Sequence, residues 1–323
     1  MFSFSLLFWE GKVILASFNH FKSLKFFQKR EVSRAIQYLE RAIKFDPFND
    51  ALLRDLSQTY LLKANLISKD ASLSEKEKKK IANEAIAKGA EAINRAVKIA
   101  PFNVANWNVR GFFYRNLIGV KGAENIALYS YQRAIELEPT SPYPFGEKGR
   151  IYILIAQNTK EKEEKEKNLN LAIENLKKSL NLKPDYAPAH YLLAVAYDQL
   201  GKTDEAISKL EEAKKFAPLD FGLSFQLGIL YWRKGEIEKA KSEFERALQI
   251  NPNYLNAKYM LGIIFDQESE KEKAKELFEQ ILKSEPDNEE VKKILENIEK
   301  GLPALEGLEI EKPLQTFPPE IEK

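Results

Sequence analysis

The side chains best able to do chemistry are few and scattered. The chain has two histidines, His20 and His190, and no cysteine. Without thiols there is no thiolate nucleophile, no disulfide staple and no cysteine-ligated zinc or iron–sulfur site. Neither histidine belongs to an HExxH pair, in which two imidazoles one helical turn apart would share a metal ion. Gly119-Val-Lys-Gly122 lacks both the preceding strand and the third glycine of a dinucleotide cradle, and no GxSxG elbow occurs. Carboxylates abound, but a helical surface with 30% charged residues offers acidic pairs without a shared role. The expectation is a protein with no catalytic, metal-binding or cofactor-binding residues.

Charge narrows the partners. Lys plus Arg number 50 and Asp plus Glu 48, so no global field draws nucleic acid. At 323 residues the chain is long for one compact core, whereas a linear array grows its core by addition.

Such an array is written in the spacing. Pro184, Pro218, Pro252 and Pro286 stand 34 residues apart. Twelve residues before each is a small side chain (Ala172, Ala206, Ala240, Ala274), and eight before is a large one (Leu176, Leu210, Phe244, Phe278). Tyr197, Tyr231 and Phe265 recur 21 residues before the last three prolines. Pro47, Pro101 and Pro139 extend the ladder at wider spacings of 54, 38 and 45 residues. Within one unit, Leu227, Gly228 and Tyr231 share a face of a first helix, and Ala240, Phe244 and Ala247 share a face of a second. Gly235 can end the first helix in the left-handed conformation, and Asn251-Pro252 ends the second.

These residues resemble the tetratricopeptide repeat family. The motif positions are Trp107, Gly111 and Tyr114, then Gly149 and Tyr152, then Leu193, Ala194, Tyr197, Ala206, Leu210, Ala213 and Pro218. Leu227, Gly228, Tyr231, Ala240, Phe244, Ala247 and Pro252 follow, and then Leu261, Gly262, Phe265, Ala274, Phe278 and Pro286. His190, Ser224 and Lys258 depart from the pattern by replacing the large first-helix residue, and His190 reads as a structural histidine there. The resemblance implies an all-α, right-handed α-solenoid of about seven helix pairs. Units fall near 16–49, 50–103, 104–141, 142–186, 187–220, 221–254 and 255–288.

It further implies a non-enzymatic scaffold whose first helices line a concave groove that takes a protein or peptide segment. The groove positions carried over are Asn108, Phe112, Arg115, Asn116, Tyr143 and Arg150. They continue as Tyr191, Val195, Asp198, Gln199, Phe225, Ile229, Trp232 and Arg233, ending with Tyr259, Ile263 and Asp266. Arg115, Arg150 and Arg233 have the fork geometry to hold a carboxylate. Two alternatives stand beside this: some of these residues pack against neighbouring first helices, or the chain's own tail fills the groove.

The remaining segments carry their own expectations. Ser68–Lys80 and Asn158–Asn168, rich in Glu and Lys, lengthen helices beyond the stack. Residues 289–300, apolar on one face only, form the capping helix a terminal repeat needs. Residues 301–323, rich in Pro and Glu, are expected to be extended or disordered. Residues 1–15 are an apolar lead broken by Glu10-Gly11-Lys12, short of a spanning helix. Three readings stay open for it: the first helix of the first repeat, an interfacial anchor backed by Lys22, Lys25, Lys29 and Arg30, or the end of a longer membrane protein. The middle reading places the chain in the cytoplasm, tethered at the inner face of a membrane. Asn103–Pro144 and GLPALEGL resemble repeat domains behind bacterial O-antigen polymerase and ligase-type membrane proteins. That resemblance implies an accessory role in a glycan-assembly system as the alternative function.

Overall fold

Residues 2–308 are described by the structure, a computed structural model, and every regular element among them is a helix. In chain order these are α1 (Phe2–Gln28), α2 (Val32–Phe45), α3 (Asp50–Ser68), α4 (Glu75–Ile99), α5 (Val104–Arg115), α6 (Ala123–Leu137) and α7 (Pro142–Asn158). They continue as α8 (Lys162–Leu182), α9 (Ala187–Gln199), α10 (Thr203–Phe216), α11 (Phe221–Arg233) and α12 (Ile237–Ile250), then α13 (Leu255–Gln267), α14 (Lys271–Ser284) and α15 (Glu289–Glu299). The chain forms two compact units, one ending at Asn168 and the other beginning at Leu169. In each, successive helices pack on their neighbours in the chain, and α3 also touches α5.

Local chemistry explains where the helices start and stop. Side-chain oxygens of Asn49, Ser74, Asn103, Asp220 and Asn288 each accept from a first-turn amide, which satisfies donors that have no intrahelical partner. Ser74 and Glu77 do so reciprocally. The second helices α2, α4, α6, α8, α10, α12 and α14 stop just before the ladder prolines. Gly201 and Gly235 follow α9 and α11 with φ of 75° and 81°, and the next amides, Lys202 and Glu236, reach back to Tyr197 and Tyr231. At the equivalent place after α13 stands Ser269, with φ of 66°, where a Cβ makes the same turn costly.

Size complementarity builds the core. A Cβ on Gly228 would sit 2.5 Å from the Phe244 ring, and one on Gly262 would sit 2.7 Å from that of Phe278. The helices therefore approach as closely as a bare backbone permits, and Ala240, Phe244, Ala274 and Phe278 are wholly buried. A recurrent tyrosine ties α3, α5 and α11 each to the preceding second helix, 20 residues back. Tyr60 donates to Glu40 Oε1 at 2.6 Å and Tyr231 to Glu211 Oε1 at 2.7 Å, while Tyr114 Oη accepts from Asn94 at 3.0 Å.

Several segments differ from their expected form. The apolar lead is continuous with the first helix, since α1 runs through Glu10-Gly11-Lys12 without a break. The first insertion is split: residues 69–74 are a turn and cap, while 75–80 extend α4. The tail expected to be extended or disordered from residue 301 instead begins with an ordered turn. Ala304 is buried, its amide donates to Asp266 Oδ2 at 2.8 Å, and Asn297 Nδ2 donates to the carbonyls of Ala304 and Glu306. Main-chain hydrogen bonds hold this turn, and they leave no apolar period in the sequence. Residues 309–323 lie outside the described residues.

Candidate functional site

In the first unit, α5 and α7 position six of the groove residues. Arg115 and Glu147, each with a side chain 8% exposed, form a buried ion pair from α5 to α7. Arg150 Nε approaches the other oxygen of Glu147 at 3.4 Å, and Tyr131 on α6 donates to Glu147 at 3.3 Å. The Arg115 guanidinium lies 4.8 Å from the Phe112 ring centre, and Tyr143 meets Tyr131 edge-on at 6.1 Å. Burial, and then the charge of Glu147 beside it, hold the Tyr131 phenol well above its ordinary value. Glu147 thus gathers Arg115 and Arg150: the carboxylate their forks meet is the chain's own. Asn116 caps α5, its amide donating to Phe112 O at 2.8 Å. Asn108 is half-buried, and its Oδ1 is shielded from solvent without a hydrogen-bond donor.

The second unit treats its residues differently. Arg233 on α11 pairs with Asp198 on α9, again inside the chain. Tyr191 and Phe225 are buried, with the Phe225 ring tilted against Phe244 at 5.5 Å and edge-on to Tyr254 at 5.1 Å. Tyr259 donates to Glu290 on α15 at 2.5 Å, and burial followed by that bond pushes its phenol up. Asp266 accepts from Ala304 N and Lys271. Val195 and Trp232 are half-buried, and Ile229 and Ile263 are buried. Both amide heteroatoms of Gln199 are shielded and lack a partner.

The two histidines are held structurally. His20 Nε2 meets Asp55 Oδ2 at 2.7 Å. His190 Nε2 meets Pro184 O at 2.8 Å, as Trp107 Nε1 meets Pro101 O at 2.6 Å, each six residues after its proline. The imidazole reproduces the indole's bond at the same repeat position. Its Nδ1 lies 2.9 Å from Glu212 Oε2, at an angle unsuited to a hydrogen bond.

Sequence reasoning missed Glu147, Tyr131, Glu290 and Arg110. Arg110 sits between the Trp107 and Tyr114 rings, bonded to Asn94 and Ser130, with no carboxylate in salt-bridge range among the described residues. Arg150 lies one helical turn after Glu147, and that spacing was the available signal for the first of these. The others depend on contacts between helices of different repeats, which spacing within a unit does not specify.

Comparisons with known proteins agree with this architecture. The tetratricopeptide repeat model matches residues 165–222 and 231–298. A tetratricopeptide repeat protein from Parabacteroides merdae superposes with a TM-score of 0.56 at 19% identity, covering 88% of this chain and 98% of that one. The APC/C hetero-tetramer Cut9–Hcn1 gives 0.51 at 15% identity, over 86% of this chain and 54% of that one. A thermophilic repeat protein of Thermus thermophilus gives 0.49 at 19% identity, over 65% of this chain and 98% of that one. No curated protein matches the chain. Over residues 165–222 and 231–298 the family match coincides with the 34-residue period and the helix pairing, and there the chain is similar to the tetratricopeptide repeat family.

Proposed function

We propose that this protein is an interaction scaffold that holds an extended peptide segment against the first-helix faces of its repeats. Repeat domains of this family generally bind protein partners without catalysing a reaction. The observation that carries the peptide reading is the amide of Gln199, whose nitrogen and oxygen both lack a partner. A peptide backbone offers a donor and an acceptor in fixed alternation and would satisfy both, once the side chain rotates toward it. Half-buried Trp232 adds amphipathic contact area on α11 within the same unit. Asn108 Oδ1 makes the equivalent demand in the first unit, beside Phe112. The arginines contribute shape, because their charges are already matched by Glu147 and Asp198.

A peptide selected from a display library on the full chain provides the test. Gln199→Ala with Trp232→Ala should weaken it about tenfold or more, with melting unchanged. Asn108→Ala with Phe112→Ala tests the first unit separately. Undiminished binding by both pairs, or failure to select any peptide, rejects the reading.

A further inference from the structure

The outer face of α1 is inverted relative to an ordinary soluble helix. At 100° per residue, Ala16, Asn19 and Ser23 fall on one side, and Ile14, Phe18 and Phe21 fall opposite. The small and polar set is the buried one: Ala16 is 3% and Ser23 2% exposed, packed where α1 meets α2. The large apolar set faces out, with Ile14 66%, Phe18 53% and Phe21 67% exposed. Soluble monomers rarely display such a contiguous patch. Small residues inward and bulky apolar residues outward are instead how helices pack when lipid surrounds them, because lipid removes the penalty for outward hydrocarbon.

Charge identifies the occupant. The outward line continues to Lys25, and Lys29 and Arg30 follow in the turn after α1. All three are exposed, and none has a carboxylate within salt-bridge range among the described residues. Residues 11–30 contain no Asp or Glu. A second copy presenting this face would therefore offer hydrocarbon but nothing for the lysines. An anionic bilayer supplies both acyl chains and phosphates. Among the described residues no helix is long and apolar enough to cross a membrane, so the geometry calls for a helix lying in the interface. We infer that α1 docks on an anionic lipid surface, with Ile14, Phe18 and Phe21 in the acyl boundary and Lys25, Lys29 and Arg30 among the headgroups.

The test is co-sedimentation of the full chain with vesicles of phosphatidylcholine, alone or mixed with phosphatidylglycerol. Binding should require the anionic lipid. Lys25→Glu with Lys29→Glu should lower partitioning on mixed vesicles about tenfold or more. Phe18→Ser with Phe21→Ser should lower it about a hundredfold. Both pairs point away from α2, so melting should not change; if the phenylalanine pair does lower it, the lysine pair decides. Absence of binding by the wild type, or equal binding by the variants, overturns the inference. So does a lipid-free dimer in sedimentation velocity that Phe18→Ser with Phe21→Ser dissolves, because the occupant would then be a second copy.

Discussion

The two units share one rule of size at their helix contacts and differ in how deeply they bury charge beside it. From α9 to α14 the repeats keep their 34-residue spacing, and glycine-on-aromatic contacts such as Gly228 on Phe244 and Gly262 on Phe278 set the approach. From α3 to α7 the spacing is interrupted by insertions, and polar networks join the helices: Asp50 with Arg54 and Asn103, and Glu147 with Arg115, Arg150 and Tyr131. A regular period lets the same contact recur in each pair, with its ion pairs nearer the surface, as at Arg233 and Asp198. Irregular neighbours keep that rule at Gly89 on Phe113 and Gly111 on Tyr131, and buried directional bonds are added to it. Buried charges specify position at some cost in desolvation.

The largest expected effect tests the polar side of this contrast. Glu147→Ala removes the buried carboxylate that Arg115 and Arg150 share and should cost about 3–5 kcal/mol in urea unfolding. Hydrogen exchange should place the loss in α5–α7 and leave α11–α14 unchanged. Replacing Arg115, Glu147 and Arg150 together by Met should recover most of it. A single-site loss under about 1 kcal/mol would make the pair equivalent to a surface bridge and dissolve the contrast.

Shape comes next. Gly228→Ala drives a methyl into the Phe244 ring and should cost about 1–3 kcal/mol, read by exchange in α11 and α12. The reverse change at a turn should help. Ser269→Gly relieves a left-handed residue bearing a Cβ and should stabilise the second unit by about 1 kcal/mol, seen as a raised melting midpoint.

The smallest effect is a pH dependence confined to the first unit. Burial pushes the Asp50 carboxyl up, but hydrogen bonds from Asn106, Asn103 and Arg54 together outweigh it and lower its pKa below 3.8. A depressed carboxyl contributes stability that is fully present above its unfolded value. That contribution is lost as pH falls from 3.8 through the folded value. Wild type and Asp50→Asn should therefore differ in midpoint at neutral pH and converge in acid. An unchanging difference would assign the contact to packing.

The sequence announces the regular half more clearly than the irregular half, for a physical reason. Prolines, small residues and aromatics at fixed offsets act within one helix pair, so Ala240, Phe244 and Gly235 could be assigned from spacing. Arg115 and Glu147 meet from different repeats 32 residues apart, and Arg233 reaches Asp198 across 35, with no local pattern to link them. Their partners became visible only once neighbouring first helices were placed. The continuity of α1 was one of the readings open for residues 1–15; its orientation was hidden, because bulk outside and small groups inside invert the stripe that marks a buried face.

The turn at 302–306 governs how the molecule could be lengthened. Asn297 gives both amide protons to it, and Asp266 and Lys271 hold it from the preceding pair. An engineer grafting extra repeats behind α15 would find that landing site already occupied. New modules would be better spliced in upstream, leaving this clasp as the final fitting.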